Sequence, residues 1–302
     1  MTLYSLYGLC FASEVPLPEA LPAASGAAVD VRIRIAPVPE AGIPGGVAVE
    51  EGSMATAHEF WLSVPGVARY LVRGGSEMLV DPHPECDDAS LRLYLLGSCL
   101  GALLTQRGRL VLHGNAVQVG NACLVCLGDS GAGKSTLAAA FAQQGYPVLA
   151  DDVIAVDEVG RAIPGIPRVK LWQDAADRLG IPTHGLRRIC PDMEKYDWPL
   201  AERFCREALP IRWIFLLSTG EQTGSAATAV EGFERFRILR DNSYRFHFLS
   251  AISRLPHHLT QCAALSGGAE FLRLPRALDA QPAETVRLII DRIAPDTREL
   301  DG

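Results

Sequence analysis

The sequence predicts an α/β protein whose core carries a phosphate-binding loop and is preceded by a small β-rich unit. Three observations carry that prediction. Residues 128–136 read Gly-Asp-Ser-Gly-Ala-Gly-Lys-Ser-Thr, a complete G-x-x-x-x-G-K-[ST] pattern set between an apolar strand-like run and an alanine-rich helix-like run. Several short segments before residue 88 alternate apolar and polar residues with period two, as half-buried strands do. From residue 89 the apolar spacing turns helical, which divides the chain into a β-rich N-terminal domain, residues 1–88, and a loop-bearing domain, residues 89–302.

Within the first unit, residues 29–35 alternate, and 60–64, 68–73 and 78–80 are spaced like an antiparallel meander with glycine-rich turns. Residues 37–46, rich in Pro and Gly, read as a loop. This unit offers no chemistry in its sequence and reads as a packing or substrate-docking element. Residues 89–106 predict a helix that leads into the core. There 109–117 and 122–127 read as strands, and 137–142 as a helix closed by Gly145. Residues 146–150 read as a short strand ending at Asp151-Asp152. Further on, 173–179 predict a helix, 211–217 a core strand, 227–234 an exposed segment and 282–293 a helix packed on the sheet. No internal repeat is evident.

The loop assigns chemistry to its members, Gly128, Asp129, Ser130, Gly131, Ala132, Gly133, Lys134, Ser135 and Thr136. Glycines let backbone N–H groups and the helix N-terminus close around phosphates, where a Cβ would intrude. Lys134 is the residue that reaches β- and γ-phosphates, and the Ser135 hydroxyl is placed to ligate Mg²⁺. Thr136 reads as a first-turn helix residue. Asp151 and Asp152, at the rim of an open α/β sheet, lie where ligands bind. Successive strand side chains point to opposite sides, so one aspartate would hold metal and the other would face an incoming hydroxyl as base. His113, at the polar interruption of the 109–117 run, reads by itself as a hydrogen-bonded structural residue.

Residues 112–117, Leu-His-Gly-Asn-Ala-Val, then Gly128 to Ser135, then Leu149-Ala150-Asp151-Asp152 resemble in order and spacing the catalytic core of the HPr kinase/phosphorylase family. The resemblance covers residues 108–160 well. It implies a P-loop fold related to phosphoenolpyruvate carboxykinase, serine kinase activity, and ATP and Mg²⁺ as donor and metal. It further implies His113 beside the attacking group, Asp151 as the acid/base, and Asp152 as the metal-associated carboxylate with Ser135. Thr136 stands where the family usually has Glu, and its glycine-rich second signature is not found after the aspartates, so phosphorylase activity and HPr as substrate stay open. Residues 13–18, 164–172 and 239–245 are similar to HPr-kinase-like proteins of lasso-peptide gene clusters, which implies a serine of a precursor peptide as acceptor.

A transferring phosphoryl group needs positive charge beyond Lys134 and the metal, and Arg168, Lys170, Arg240 and Arg245 are the candidates, each also readable as an ordinary surface cation. Lys195 is a weaker candidate. Cys123 and Cys126 have C-x-x-C spacing but lie in an apolar strand where residues three apart face opposite sides, so they read as buried thiols. Leu265-Ser266-Gly267-Gly268 mimics the ABC-transporter signature without the acidic strand that follows it there, and no guanine-reading Asn-Lys-x-Asp appears.

At 48% hydrophobic and 21% charged, the chain fits neither a disordered nor a membrane class, and its net charge of −7 without a basic stripe argues against nucleic-acid binding. Eight scattered cysteines suit a reducing cytoplasm. The leading expectation is an ATP- and Mg²⁺-dependent kinase acting on a serine of a peptide or protein. A small-molecule kinase and a nucleotide-binding regulator without transfer are the alternatives. The acceptor, the oligomeric state and the choice of ATP or pyrophosphate are open at this level.

Overall fold

The computed structural model describes residues 1–219, 226–252, 254–276 and 280–297. They form a mixed α/β arrangement of three sheets with helices packed between and around them.

Nine strands within residues 2–82 make one sheet. The meander read from the sequence is there as Glu59–Val64, Ala68–Arg73 and Glu77–Pro82, all antiparallel. Two strands not foreseen, Thr2–Leu6 and Leu9–Ser13, form a hairpin over Tyr7-Gly8, whose φ values of 52° and 71° suit a two-residue turn. Val31–Ile35 joins the halves by pairing in parallel with Leu9–Ser13 and Glu77–Pro82.

One face of this sheet, with Phe11, Val31, Phe60, Tyr70 and Met78, buries against the helical stretch that follows. That stretch is an α-helix Asp88–Tyr94, a π-helical turn Leu95–Cys99 and an α-helix Leu100–Gln106, capped by the Asp87 carboxylate accepting from the Ala89 and Ser90 N–H groups. Val111, Val153 and Ala155 of the second sheet enter the same apolar cluster, so the core passes from one sheet to the next without a break. Tyr7 Oη reaches across to donate to the Val153 carbonyl at 2.9 Å.

The second sheet has seven strands in the order Ala122–Gly128, Leu110–Val119, Val148–Val156, Arg161–Ile163, Leu209–Thr219, Glu270–Arg276, Thr228–Ala229. Ala122–Gly128 also pairs in parallel with Leu209–Thr219, so the first five strands close into a ring rather than the open sheet expected. The helix Lys134–Gln143 covers one face with Leu124, Cys126 and Phe215, while Cys123, Val125 and Phe271 lie on the other with Cys262 and Leu265 of the helix Leu255–Gly268. Cys123 and Cys126 are thus free, buried and on opposite faces. Residues 265–268 end that helix and form no loop.

The aspartates do not terminate a strand. Val148–Val156 runs through Asp151 and Asp152, because Val153-Ile154-Ala155-Val156 continues the apolar run into buried positions. The third sheet, Arg168–Trp172, Lys195–Pro199 and Arg187–Arg188, sends Val169 and Leu171 into the cluster around the Lys134–Gln143 helix and leaves Arg168, Lys170 and Trp172 on its other face.

Gly114 sets how closely the central strands approach. A Cβ there would meet the Cys126 carbonyl oxygen at 2.4 Å and Leu127 Cδ2 at 2.9 Å. Backbone cannot yield as a side-chain tip can. Gly114→Ala is therefore expected to lower the unfolding free energy by about 1–3 kcal/mol, read as a lower urea midpoint at unchanged slope.

Candidate functional site

The antiparallel register of Leu110–Val119 on Val148–Val156 sets His113 opposite Val153, Gly114 opposite Asp152 and Asn115 opposite Asp151. Asp152 has φ +76°, a left-handed conformation uncommon outside glycine and tolerated by Asp. The turn of the chain there lets both aspartates line one cavity, where regular alternation would have sent them to opposite sides. His113 Nδ1 donates to the Asp152 carbonyl at 2.9 Å and lies 3.3 Å from Asp152 Oδ1.

The loop closes the same cavity. Gly128 has φ +141°, and a Cβ on it would lie 2.5 Å from the Leu217 carbonyl oxygen, so only glycine lets the loop leave its strand there. The Gly128 N–H is held at 2.9 Å by Oδ1 of Asn242. The helix begins at Lys134 after Gly133, φ +82°, and Asn115 Nδ2 donates to the Lys134 carbonyl at 2.5 Å. Lys134 Nζ bridges the Gly128 and Asp129 carbonyls at 2.7 and 2.9 Å, and its burial lowers its pKa. Arg276, at the end of Glu270–Arg276, donates through Nη1 to the Ala132 carbonyl at 3.1 Å, while its Nε is buried without a partner among the described residues.

The cavity, about 400 Å³, is lined by His113, Ser130, Lys134, Ser135, Thr136, Asp151, Asp152 and Lys170 among others. Lys170 serves both carboxylates: its N–H donates to Asp151 Oδ2 at 3.0 Å and its Nζ to Asp152 Oδ2 at 2.7 Å. The two acids are pushed apart. Burial raises the Asp151 pKa although the Lys170 N–H and the Ser135 hydroxyl favour its ionised form. Burial also acts on Asp152, but the Lys170 charge and the His113 contact overcome it and hold that carboxyl far below the usual range. Asp151 Oδ1 is buried and has no hydrogen-bond partner among the described residues.

Of the cations expected beside the phosphates, Lys170 lies in the cavity. Arg245 lies in an adjoining one of about 460 Å³ that also includes His113, Asp152, Asn242 and Tyr244. Arg245 is paired with Glu50 of the first sheet and donates to Ser98 Oγ at 2.7 Å. Arg168 lies outside the loop cavity: it is buried and holds both Asp197 oxygens at 2.9 and 2.7 Å through Nη1. Arg240 is on the outer face of its helix, paired with Asp241. Lys195 lines the loop cavity, its pKa lowered by burial and then by Lys170. Sequence reasoning missed Asn115, Trp172, Asn242 and Arg276. Asn115, Trp172 and Asn242 lie inside stretches that carry the resemblance and were within reach of the sequence; Arg276 reaches the loop only through strand pairing.

No family model matches the chain, and no curated protein sequence does so. Among the solved structures that match is the HPr(Ser) kinase/phosphatase from Coxiella burnetii, at 11% identity and a TM-score of 0.31, covering 64% of this chain and 99% of that one. This likeness is too partial to carry function. No helix among the described residues is long and apolar enough to cross a membrane.

The Lys170–Asp152 pair generates a test. Lys170→Met leaves Asp152 without its partner and is expected to cost roughly 2–3 kcal/mol at neutral pH, less than a fully buried pair because Asp152 keeps 27% of its side chain exposed. Asp152 has a depressed folded-state pKa, so its stabilisation is present above the unfolded carboxylate range and is lost as pH falls through the folded value. The difference between wild type and variant should therefore be largest at neutral pH and close in acid, as chemical denaturation across pH would record.

Proposed function

We propose that this chain is a kinase that uses ATP with Mg²⁺ to phosphorylate a serine of a peptide or protein. The observation that carries the reading is the single cavity on which Lys134, Ser135, Asp151, Asp152 and His113 converge. A phosphate-binding loop alone would serve a sensor; two carboxylates of opposite pKa tendency beside it suit transfer.

The residues fit a magnesium ion in a particular way. Asp151 Oδ1 is a buried acceptor with no partner among the described residues, and the Ser135 hydroxyl acts on the same carboxyl group. Ser135 and Asp151 would hold the metal, with phosphate oxygens and water completing it, since Mg²⁺ seldom uses an all-protein cage. Bound there, it would offset charge on the β- and γ-phosphates. Asp152 faces both the loop cavity and the adjoining one with Tyr244 and Arg245, which makes it the carboxylate on the acceptor's side. This exchanges the roles that the family resemblance implies for the two aspartates.

The loop N–H groups and Lys134 orient the triphosphate in line with the acceptor. As the serine oxygen bonds to the γ-phosphorus and the bond to the β,γ-bridging oxygen breaks, the hydroxyl becomes acidic enough to pass its proton to Asp152, a weak base in this setting. Lys170 keeps Asp152 ionised beforehand, and His113 fixes its backbone and carboxyl. Most of the catalysis is positioning and charge neutralisation. The adjoining cavity is bounded by Arg245, which is tied to the first sheet, and this suits a polypeptide acceptor over a small metabolite. The free thiols, seven of eight buried, suit a reducing cytoplasm.

The test is transfer of labelled γ-phosphate from ATP to serine peptides. Asp152→Asn should lower transfer by about 10²–10⁴-fold with nucleotide affinity within a few fold, whereas Asp151→Asn should weaken Mg²⁺-dependent nucleotide binding. The opposite pattern would return the base to Asp151. Transfer undiminished in both variants would take both aspartates out of the chemistry, and no transfer to any acceptor by wild type would sink the kinase reading.

Asp151→Asn should also raise the melting temperature by a few degrees without nucleotide or metal, because a buried carboxylate with an orphaned oxygen is replaced by a neutral amide. A raised folded-state pKa contributes stability that is complete below the unfolded value and is lost as pH rises through the folded one. The variant's gain should therefore fade as pH falls into the carboxylate range.

A further inference from the structure

The loop accounts for phosphates, yet the cavity does not end with them. It continues past Thr136 to Leu171, Trp172 and the start of the helix Gln173–Arg178. Trp172 is 48% exposed, and among the exposed large hydrophobic side chains it is the one that lines this cavity. Alternation explains its position: Leu171 points into the core, so Trp172 falls on the polar face with Lys170 and Arg168. In register, Lys195 stands opposite Trp172, and its ammonium lies 5.3 Å from the indole ring centroid. Lys195 forms no ion pair with a carboxylate among the described residues, although Lys170 close by is paired. An ammonium without a counter-ion next to a half-exposed indole, at the far end of a phosphate-binding loop, is suited to an anion that carries an aromatic ring.

We propose that Trp172 is the platform on which the purine of the donor nucleotide stacks, with Lys195 against the adjoining phosphate chain. This rests on the reading that the loop binds nucleotide phosphates, and it selects a nucleotide over pyrophosphate as donor. Lys195 sits over the ring, and the exposure that the indole keeps within the cavity is the surface offered to the base. The Thr136 end of the loop, where the helix begins, gives way directly to this subsite. Stacking on an indole reads the π-face that all bases share, so ATP and GTP should both be accepted.

The test compares binding of ATP, GTP and inorganic tripolyphosphate, each with Mg²⁺, by calorimetry on the full chain, Trp172→Ala and Trp172→Phe. Wild type should bind both nucleotides more tightly than tripolyphosphate. Trp172→Ala should weaken ATP and GTP about tenfold and leave tripolyphosphate within twofold, while Trp172→Phe retains most of the nucleotide affinity. An alanine variant that binds ATP as wild type does, or that loses tripolyphosphate equally, overturns the subsite. Nucleotide binding with no transfer to any acceptor would sink the kinase reading alone and leave the subsite standing. Binding of none of the three ligands by wild type would sink both.

Discussion

Everything at the site depends on one strand pairing, Leu110–Val119 against Val148–Val156 with Gly114 at the point of closest approach. Gly114 lies opposite Asp152 in that ladder and has the Cys126 carbonyl 2.4 Å from where its Cβ would be. The missing side chain lets three strands close up at the root of the loop. That spacing brings His113 within 2.9 Å of the Asp152 carbonyl and Asn115 Nδ2 within 2.5 Å of the Lys134 carbonyl. A one-residue slip would carry each side chain to the wrong face, so the register is itself a requirement of the chemistry.

Charge in the cavity is balanced in an unequal way that divides the two aspartates. Lys170 offers Asp152 its ammonium and Asp151 only its backbone N–H. One carboxylate is therefore neutralised by protein and the other retains a buried oxygen with no partner among the described residues. A protein carries such a cost, about 1–3 kcal/mol for an unsatisfied buried group, where a ligand relieves it. The left-handed backbone at Asp152 is a second local cost in the same place.

Much of the site was legible because its parts are local. The loop, its strand and its helix are contiguous in sequence, and period-two and helical spacing fix them without knowledge of the fold. The aspartate pair was legible as a candidate, but its geometry was not. Nothing in Leu149-Ala150-Asp151-Asp152 announces a left-handed residue that turns both carboxylates into one cavity, and the apolar run beyond them was not counted as the same strand. Ring closure was equally hidden, since the pairing of Ala122–Gly128 with Leu209–Thr219 is non-local. Lys170 and Arg168 looked alike in sequence, two cations on one strand face. Their neighbours separate them: Asp152 receives Lys170, and Asp197 receives Arg168.

That separation gives the first sheet a part in the site. Glu19, from the segment that follows its first hairpin, accepts from Arg92 Nε at 2.9 Å and lies 4.0 Å from Arg168, which grips Asp197 on the neighbouring strand. Breaking such a buried cluster at one member leaves an uncompensated charge, so the cluster acts as a clamp on the third sheet. Lys170 is two residues along the same strand. Tyr7 clamps Val153, beside Asp152, and Glu50 clamps Arg245, beside Tyr244. Among the contacts of the β-rich unit with the rest of the chain, these three fall on, or within two residues of, groups that line the two cavities. Placement of Asp152 between Lys170 and His113 is thus supported by contacts of Tyr7 and Glu19, residues that lie outside the loop cavity.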